Sequence, residues 1–200
     1  MGLSRRSFLG ALAAVPLSRA FGGSTRSAPP VGATCVLPES CAGFARALAG
    51  REAPHLVVFP GTAGWDDSIA QRVRSGQLVI FESAAGFAEG GALQEQQAGL
   101  RAFGLAIERP VALWTEGRPS YLDLDWPVRA RVRDFSHAVA VRGGETVGAL
   151  GGRPVAALQR AGAGALLFLG SPVGPALWSG DPQAHAWLSS VLAAHLLGST

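Results

Sequence analysis

Glu82 and Ser83 are the residues of this chain whose type and position best suit chemistry. They directly follow the apolar run of residues 77–81, so both side chains stand where a buried strand is expected to end. A serine at such a turn acts as a nucleophile when a base removes its proton, and His137 is one candidate for that base. A carboxyl that follows an apolar strand is desolvated, which raises its pKa and suits acid–base catalysis.

The sequence around Ser83 departs from the turn found in serine hydrolases. The G-x-S-x-G pattern has a glycine two residues before and two residues after the serine, whereas here the first glycine is missing and Gly86 stands three residues later. Neither His137 nor the other base candidate, His185, lies within a motif. The alternatives are that the Ser83 hydroxyl bonds to backbone and that an arginine pairs with Glu82. We therefore predict no catalytic residue, and Ser83, Glu82 and His137 are the candidates if one exists.

Small and hydroxyl-bearing residues end or follow three predicted strands, at residues 55–60, 77–83 and 165–170. The carboxyl ends of parallel strands meet at one edge of an open α/β sheet, and ligands bind in the crevice at that edge. The residues predicted to line a ligand site there are Gly61, Thr62, Gly64, Ser83, Gly86, Ser171 and Gly174.

Residues that bind metals or form disulfides are few. Cys35 and Cys41 are the only cysteines, and they either form a small loop disulfide in an oxidising compartment or stay as two free thiols. The acidic residues at 66–67 and at 123 and 125 either supply oxygen ligands to a hard cation or cap a helix and face water, and we favour the second. The four histidines lack ligand spacing, so we predict no metal site and no cofactor. The five tryptophans either stack on a sugar or fill a core, and we favour the core.

Apolar runs alternate with helical segments, which predicts parallel strands joined by helices. Residues 127–142 alternate arginine with apolar residues, as in a half-exposed strand. Residues 145–150 and 154–158 flank a pair of glycines and predict a β-hairpin. The other predicted strands cover residues 34–37, 55–60, 77–83 and 165–170, and the predicted helices cover residues 39–48, 65–74, 92–103 and 181–197.

The first 20 residues resemble a twin-arginine export signal. Arg5 and Arg6 stand just before Phe8 and Leu9, and the apolar stretch of residues 8–17 is too short to span a bilayer as a stable helix. The resemblance implies export by the twin-arginine translocase to the periplasm or beyond, with weak membrane anchoring if the signal is not cleaved. Residues 21–32 then read as a linker.

The charge of the chain argues against nucleic-acid binding. All 17 basic residues are arginines, and removing the three within the first 20 residues leaves 14 against 14 acidic residues. The exported chain is therefore formally neutral, whereas a nucleic-acid partner requires a basic face.

Three segments carry a family resemblance. They are Leu-Val-Val-Phe-Pro-Gly at 56–61, Gln-Leu-Val-Ile-Phe-Glu-Ser-Ala-Ala-Gly at 77–86, and the stretch of residues 135–172 that ends in Gly-Ser-Pro. In this order they resemble class I glutamine amidotransferase-like domains of the trehalose-utilisation-like and β-galactosidase-associated type. The resemblance implies one domain over residues 33–200. With the element order, it predicts an α/β, three-layer, flavodoxin-like, mostly parallel sheet with helices on both faces and a C-terminal β-hairpin extension.

The resemblance also bears on activity. Active members of that family carry a cysteine on the turn after a central strand and a histidine with a carboxylate after a later strand. This chain has Glu82 and Ser83 at the first place, and Ser171, Pro172 and Val173 at the second. The resemblance therefore implies a pseudoenzyme that lacks the catalytic cysteine and histidine.

These observations favour an exported, non-catalytic domain that binds a small molecule or an envelope protein at the carboxyl ends of its strands. Two alternatives stay open. One is a hydrolase that uses Ser83 or Glu82, and the other is a scaffold protein of the cell envelope, since a fold alone does not determine function.

Overall fold

The computed structural model describes residues 33–83, 90–108, 120–133 and 138–197. The predicted export signal and linker, together with Gly86 and His137, lie outside these residues. Among the described residues, no helix has the length and apolar character needed to cross a membrane. The strands are β1 (Thr34–Cys35), β2 (Leu56–Phe59), β3 (Leu78–Glu82), β4 (Ala106–Ile107), β5 (Tyr121–Leu124), β6 (Ala130–Arg133), β7 (Val141–Arg142), β8 (Glu145–Leu150), β9 (Arg153–Ala161) and β10 (Gly164–Leu169). The helices are α1 (Ala42–Leu48), α2 (Ser68–Arg74), α3 (Gly90–Arg101), α4 (Gly174–Ser179) and α5 (Pro182–Leu197), and a 3-10 turn covers Gly61–Ala63.

Eight of the strands form one mixed sheet in the order β1-β2-β3-β10-β9-β8-β5-β6, and β4 pairs with β7 separately. The four strands β1, β2, β3 and β10 are parallel to one another. From β10 onward, every pairing in the sheet is antiparallel. The prediction of a mostly parallel sheet is therefore wrong.

Strands β2, β3 and β10 are buried on both faces, and their apolar side chains alternate between two cores. Leu78 and Ile80 of β3 belong to one core, which also contains Phe44 of α1 and Trp187 of α5. The next residues along the strand, Val79 and Phe81, belong to the second core, which includes the apolar residues of α2. This burial on both faces explains why these strands read as continuous apolar runs in the sequence.

The outer antiparallel strands β5 and β6 are covered on one face only within the described residues. Leu122 and Leu124 of β5 point into the core that includes α5, whereas Tyr121 and Asp123 are exposed. On the neighbouring strand, Arg131 lies 3.5 Å from Asp123 and its guanidinium stands over the Tyr121 ring. A flavodoxin-like, three-layer domain needs helices on both faces of its sheet, and the solvent-facing side of β5 and β6 shows that this prediction is wrong.

The predicted hairpin forms, but it is not a C-terminal extension. Its turn is made by Gly151 and Gly152, whose φ angles of 58° and 81° lie in the left-handed region that a two-residue hairpin loop requires. Strand β9 then lies between β8 and β10, so the hairpin joins the parallel strands to the rest of the sheet.

Candidate functional site

A cavity of about 410 Å³ lies at the carboxyl ends of β2, β3 and β10, and we call it the Glu82 cavity. Parallel strands end at the same edge of a sheet, so the segments that follow them converge there. Its walls are the turn at Glu39–Gly43, the segment Pro60–Thr62, the end of β3 at Glu82 and Ser83, the residues Pro172, Gly174 and Pro175 after β10, and Trp178 of α4.

Glu82 is the last residue of β3 and is 6% exposed. Its Oε1 accepts hydrogen bonds from the backbone N–H groups of Val173, at 2.6 Å, and Gly174, at 2.9 Å. The interpretation that an arginine pairs with Glu82 is therefore replaced by two backbone donors from the segment after β10. These bonds fix the carboxyl at the edge of the cavity.

Burial raises the pKa of Glu82 to about 7, although the two backbone hydrogen bonds lower it in part. Desolvation penalises the charged form of a carboxyl, and the two N–H donors compensate for only part of the lost hydration. Near neutral pH the side chain is therefore divided between its neutral and ionised forms, which is the range that suits a proton donor or acceptor.

Glycines bring α1 and α4 close together beside Glu82. A Cβ at Gly43 would stand 1.9 Å from the backbone oxygen of Gly174. A Cβ at Gly174 would stand 3.0 Å from Oε2 of Glu82. A larger side chain at either position would require its neighbours to move. The two glycines therefore allow α1 and α4 to pack closely beside Glu82.

Ser83 lines the cavity with a buried hydroxyl. Its backbone N–H donates to the Leu169 carbonyl at 2.8 Å, while its Oγ has no hydrogen-bond partner within the described part of the chain. The interpretation that this hydroxyl bonds to backbone is not what the structure shows. An unpaired buried hydroxyl costs free energy, which a bound molecule with a matching polar group would recover.

The predicted site residues divide into those that reach the cavity and those that do not. Gly61, Thr62, Ser83 and Gly174 line it. Gly64 ends the 3-10 turn after β2, and Ser171 is buried but is not part of the lining. Gly86 lies outside the described residues.

The structure does not bring a histidine to Ser83 within the described residues. The ring of His185 bonds to the Leu177 carbonyl at 3.1 Å and is not part of the cavity lining. His137 lies outside the described residues. The described geometry therefore gives Ser83 no base.

Sequence reasoning missed several residues of the site. The turn at Glu39–Gly43 lies at the carboxyl end of β1, so the rule applied to the other parallel strands would have found it. Trp178 is 56% exposed, and the guanidinium of Arg46 stands 5.3 Å from the centre of its ring. Gln96 of α3 donates from its amide to the Gly61 carbonyl and holds that loop in place. No local pattern identifies Trp178 or Gln96, because both reach the loops through tertiary packing.

The two cysteines are free thiols. The Cys41 sulfur is buried and lies 3.3 Å from the carbonyl oxygens of both Val36 and Leu37. A hydrogen bond from Cys41 lowers the pKa of the Cys35 thiol. The same bond, together with burial, raises the pKa of the Cys41 thiol.

The charge of the lining restricts what the cavity accepts. Glu39 and Glu82 contribute carboxyl groups, and the described residues of the lining include no arginine or histidine. No group of three or more possible metal ligands occurs among the described residues. The arrangement therefore favours neutral or cationic molecules over anions.

Comparisons with known proteins bear on the fold. No family model matches the chain, and no curated protein matches it. A β-galactosidase from Rahnella sp. R3 is similar, with a TM-score of 0.53 and 13% sequence identity over 72% of this chain and 23% of that chain. An exo-β-1,4-mannosidase from Opitutaceae bacterium strain TAV5 has a TM-score of 0.48 and 17% identity over 68% of this chain and 25% of its own. A β-galactosidase from Bacillus circulans sp. alkalophilus has a TM-score of 0.47 and 16% identity over 72% of this chain and 23% of its own.

These comparisons overturn the predicted membership of the class I glutamine amidotransferase-like domains. No family model supports it, and the solved structure with a TM-score above 0.5 is a β-galactosidase. The short apolar motifs behind the prediction are what buried parallel strands require in any fold, so they did not distinguish families. The chain spans about a quarter of the length of these structures, and at 13% identity the likeness to the Rahnella β-galactosidase concerns the fold alone.

Proposed function

We propose that this domain binds a small neutral or cationic molecule in the Glu82 cavity and does not transform it. The observation that carries the proposal is the buried Ser83 hydroxyl, which lines the cavity next to Glu82 and has no hydrogen-bond partner in the part of the chain that the structure describes. A cavity of about 410 Å³ falls within the range of small-molecule sites, which combine apolar walls with a few convergent polar groups.

The chemistry of the lining suggests the class of ligand. A hydroxyl group of a ligand can donate to Glu82 and bond with Ser83, and the exposed face of Trp178 offers a surface for a sugar ring or an ammonium group. A protein named as a β-galactosidase shares aspects of this fold. Neutral hexoses are therefore the first molecules to test.

Binding is tested by saturation-transfer NMR and titration of the full chain with D-galactose, D-mannose and tetramethylammonium. Galacturonate, which adds a carboxylate to the galactose ring, serves as the anionic control. We expect at least one neutral or cationic probe to bind and galacturonate to bind more weakly, because the lining residues that the structure describes include two carboxyl groups and no basic side chain.

Ser83→Ala is expected to weaken binding by about 3- to 10-fold, the effect of losing one hydrogen bond of roughly 1 kcal/mol. The matched control is Ser75→Ala, since the Ser75 hydroxyl is exposed and bonds to the Arg72 carbonyl at the far end of α2. Equal binding by wild type and Ser83→Ala, or binding of none of the probes, would contradict the proposal.

A second candidate function is hydrolysis with Glu82 as acid or base, which its pKa of about 7 favours. The test uses p-nitrophenyl galactoside, mannoside and acetate. Hydrolysis would be established by p-nitrophenol release whose rate depends on pH with a midpoint of about 7 and which Glu82→Gln abolishes. No turnover above the buffer rate by the wild-type chain would exclude it for these substrates.

Export by the twin-arginine translocase, a location in the periplasm or outside the cell, an envelope-protein partner and a scaffold role stay predictions. They depend on residues 1–20 or on proteins that are absent from the structure.

A further inference from the structure

The Glu82 carboxyl is buried with little compensation for a negative charge. The side chain is 6% exposed. The hydrogen bonds that the described residues give it, from the N–H groups of Val173 and Gly174, both end on Oε1. Two backbone donors replace only part of the hydration that a carboxylate loses on burial. An ionised Glu82 therefore favours a positive charge near its other oxygen, Oε2.

Oε2 and the Trp178 ring border the same space. A Cβ at Gly174 would stand 3.0 Å from Oε2, which places this oxygen beside the start of α4. Trp178 lies four residues after Gly174 on the same helix, so the two positions are on one side of α4, about 5.4 Å apart along its axis. Glu82, Gly174 and Trp178 all line the cavity.

The Trp178 ring already has a cation beside it. The guanidinium of Arg46 stands 5.3 Å from the centre of the ring, which is within the range of a cation–π interaction. Trp178 is nevertheless 56% exposed, so the ring keeps surface for a cation that enters from solution.

The other charged and titratable groups around Glu82 come from the first turn and α1. Glu39 and Cys41 line the cavity, and the Cys35 thiol is close enough to interact with the Glu82 charge. On α1, Arg46 is exposed and stands over Trp178. The described lining residues from the loop after β2 and from α4 carry no titratable side chain. Within the described lining, then, no basic side chain neutralises an ionised Glu82.

We propose that the ligand of the Glu82 cavity is a small organic cation that takes the place of the Glu82 proton. The proton and the cation each neutralise the same buried carboxyl, so binding of the cation releases the proton to solvent. The cation lies between Oε2 and the Trp178 ring, in a cavity of about 410 Å³. This inference rests on the proposed binding function and narrows its ligand from neutral or cationic molecules to cations.

Proton exchange gives the binding a pH dependence of defined sign. Burial raises the pKa of Glu82 to about 7. Below that pH the cation must displace a proton, so its affinity falls as the pH falls, and above it the affinity levels off. For one proton and a pKa of about 7, the affinity at a pH of about 8 is about 10-fold higher than at a pH of about 6.

The test is calorimetric titration of the full chain with tetramethylammonium, whose charge does not depend on pH. Titrations at fixed ionic strength and at pH values of about 6 and about 8 should differ in affinity by about 10-fold. At a pH of about 7, two buffers of different ionisation enthalpy report the protons released, and we expect about half a proton per bound cation. D-galactose carries no charge, so its affinity should change by less than about 2-fold.

Variants assign the effect to one carboxyl. Glu82→Gln keeps an acceptor for the two N–H groups but carries no charge, so it should bind tetramethylammonium no more tightly at either pH than wild type does at the lower one. Glu39→Gln removes the exposed carboxyl of the same lining and should retain the change of about 10-fold. The released protons are measured on the wild-type chain, so they decide the question even if a variant does not fold.

The outcomes separate this inference from the binding function. Equal affinity for tetramethylammonium at both pH values, the absence of proton release, or a pH dependence that persists in Glu82→Gln would overturn it. Binding of D-galactose without binding of tetramethylammonium would also overturn it and would leave the proposed binding function intact. If none of the neutral or cationic probes binds, both proposals fail.

Discussion

Glu82→Gln changes the pH dependence of folding stability in a direction that the structure specifies. Glutamine keeps an oxygen acceptor for the N–H groups of Val173 and Gly174, but it does not titrate. The folded state holds the Glu82 proton more tightly than the unfolded chain does, because burial raises the pKa of this carboxyl. The stability that this tighter proton binding provides is complete below the unfolded pKa and is lost as pH rises through the folded pKa.

The size of the effect follows from the two pKa values. The folded value is about 7, and an unfolded glutamate has a pKa of about 4.3. Each pKa unit corresponds to about 1.4 kcal/mol, so the wild-type chain loses roughly 3 to 4 kcal/mol from this group between a pH of about 4 and a pH of about 8. Glu82→Gln does not lose this stability as the pH rises, because glutamine does not titrate.

The assay is urea unfolding of wild type and Glu82→Gln at a pH of about 4 and at a pH of about 8. The other carboxyl groups contribute equally to the unfolding free energy of both chains, so their contribution cancels in the difference between the two. We expect Glu82→Gln to gain roughly 3 to 4 kcal/mol relative to wild type at the higher pH. Thr62 is an exposed lining residue that does not titrate. The free energy of unfolding of Thr62→Ala should therefore differ from that of wild type by the same amount at both pH values. A difference between Glu82→Gln and wild type that is equal at both pH values, or that shrinks at the higher one, would refute the assignment.

Two further substitutions test the packing around the site, with urea unfolding midpoints as the measurement. Gly43→Ala should destabilise the chain by about 1–3 kcal/mol, because the added Cβ would stand 1.9 Å from the Gly174 oxygen, and an unchanged midpoint would contradict the close approach of α1 and α4. Trp187→Phe should cost about 2 kcal/mol, since Trp187 is fully buried and its indole N–H donates to the Trp126 carbonyl at 2.9 Å. Trp178→Phe, at a 56% exposed position, should change stability by less than about 0.5 kcal/mol, and equal effects of the two tryptophan variants would contradict this account of Trp187.

Local sequence patterns predicted many of the elements. The apolar runs at 55–60 and 77–83 correspond to β2 and β3, and the helix predicted at 181–197 corresponds to α5. The hairpin around Gly151-Gly152 also forms. These predictions succeed because burial on one or both faces, and a left-handed turn, each leave a signature within a few neighbouring residues.

The order and orientation of the strands could not be predicted from the sequence. Strand β10 pairs with β3 in parallel and with β9 in antiparallel orientation, and an apolar run fits either kind of partner. Alternation in the arginine-rich segment predicted a half-exposed strand where β6 forms, but strand β5 was not predicted, and the alternation did not show that one side of the sheet lacks helices. The family resemblance failed for the same reason, since it was built from buried-strand motifs.

The sequence by itself determined that Glu82 and Ser83 end a buried strand and that residues after β2 and β10 gather near them, because parallel strands share an edge. Only the tertiary structure decided what surrounds the Glu82 carboxyl, since its two hydrogen-bond donors lie 91 and 92 residues along the chain. It also decided that the Ser83 hydroxyl has no hydrogen-bond partner among the described residues and that Cys41 lines the cavity. A run of apolar residues indicates by itself that a strand is buried. Hydrogen-bond partners that are distant in the sequence depend on strand order and loop packing, and a local sequence pattern does not specify these.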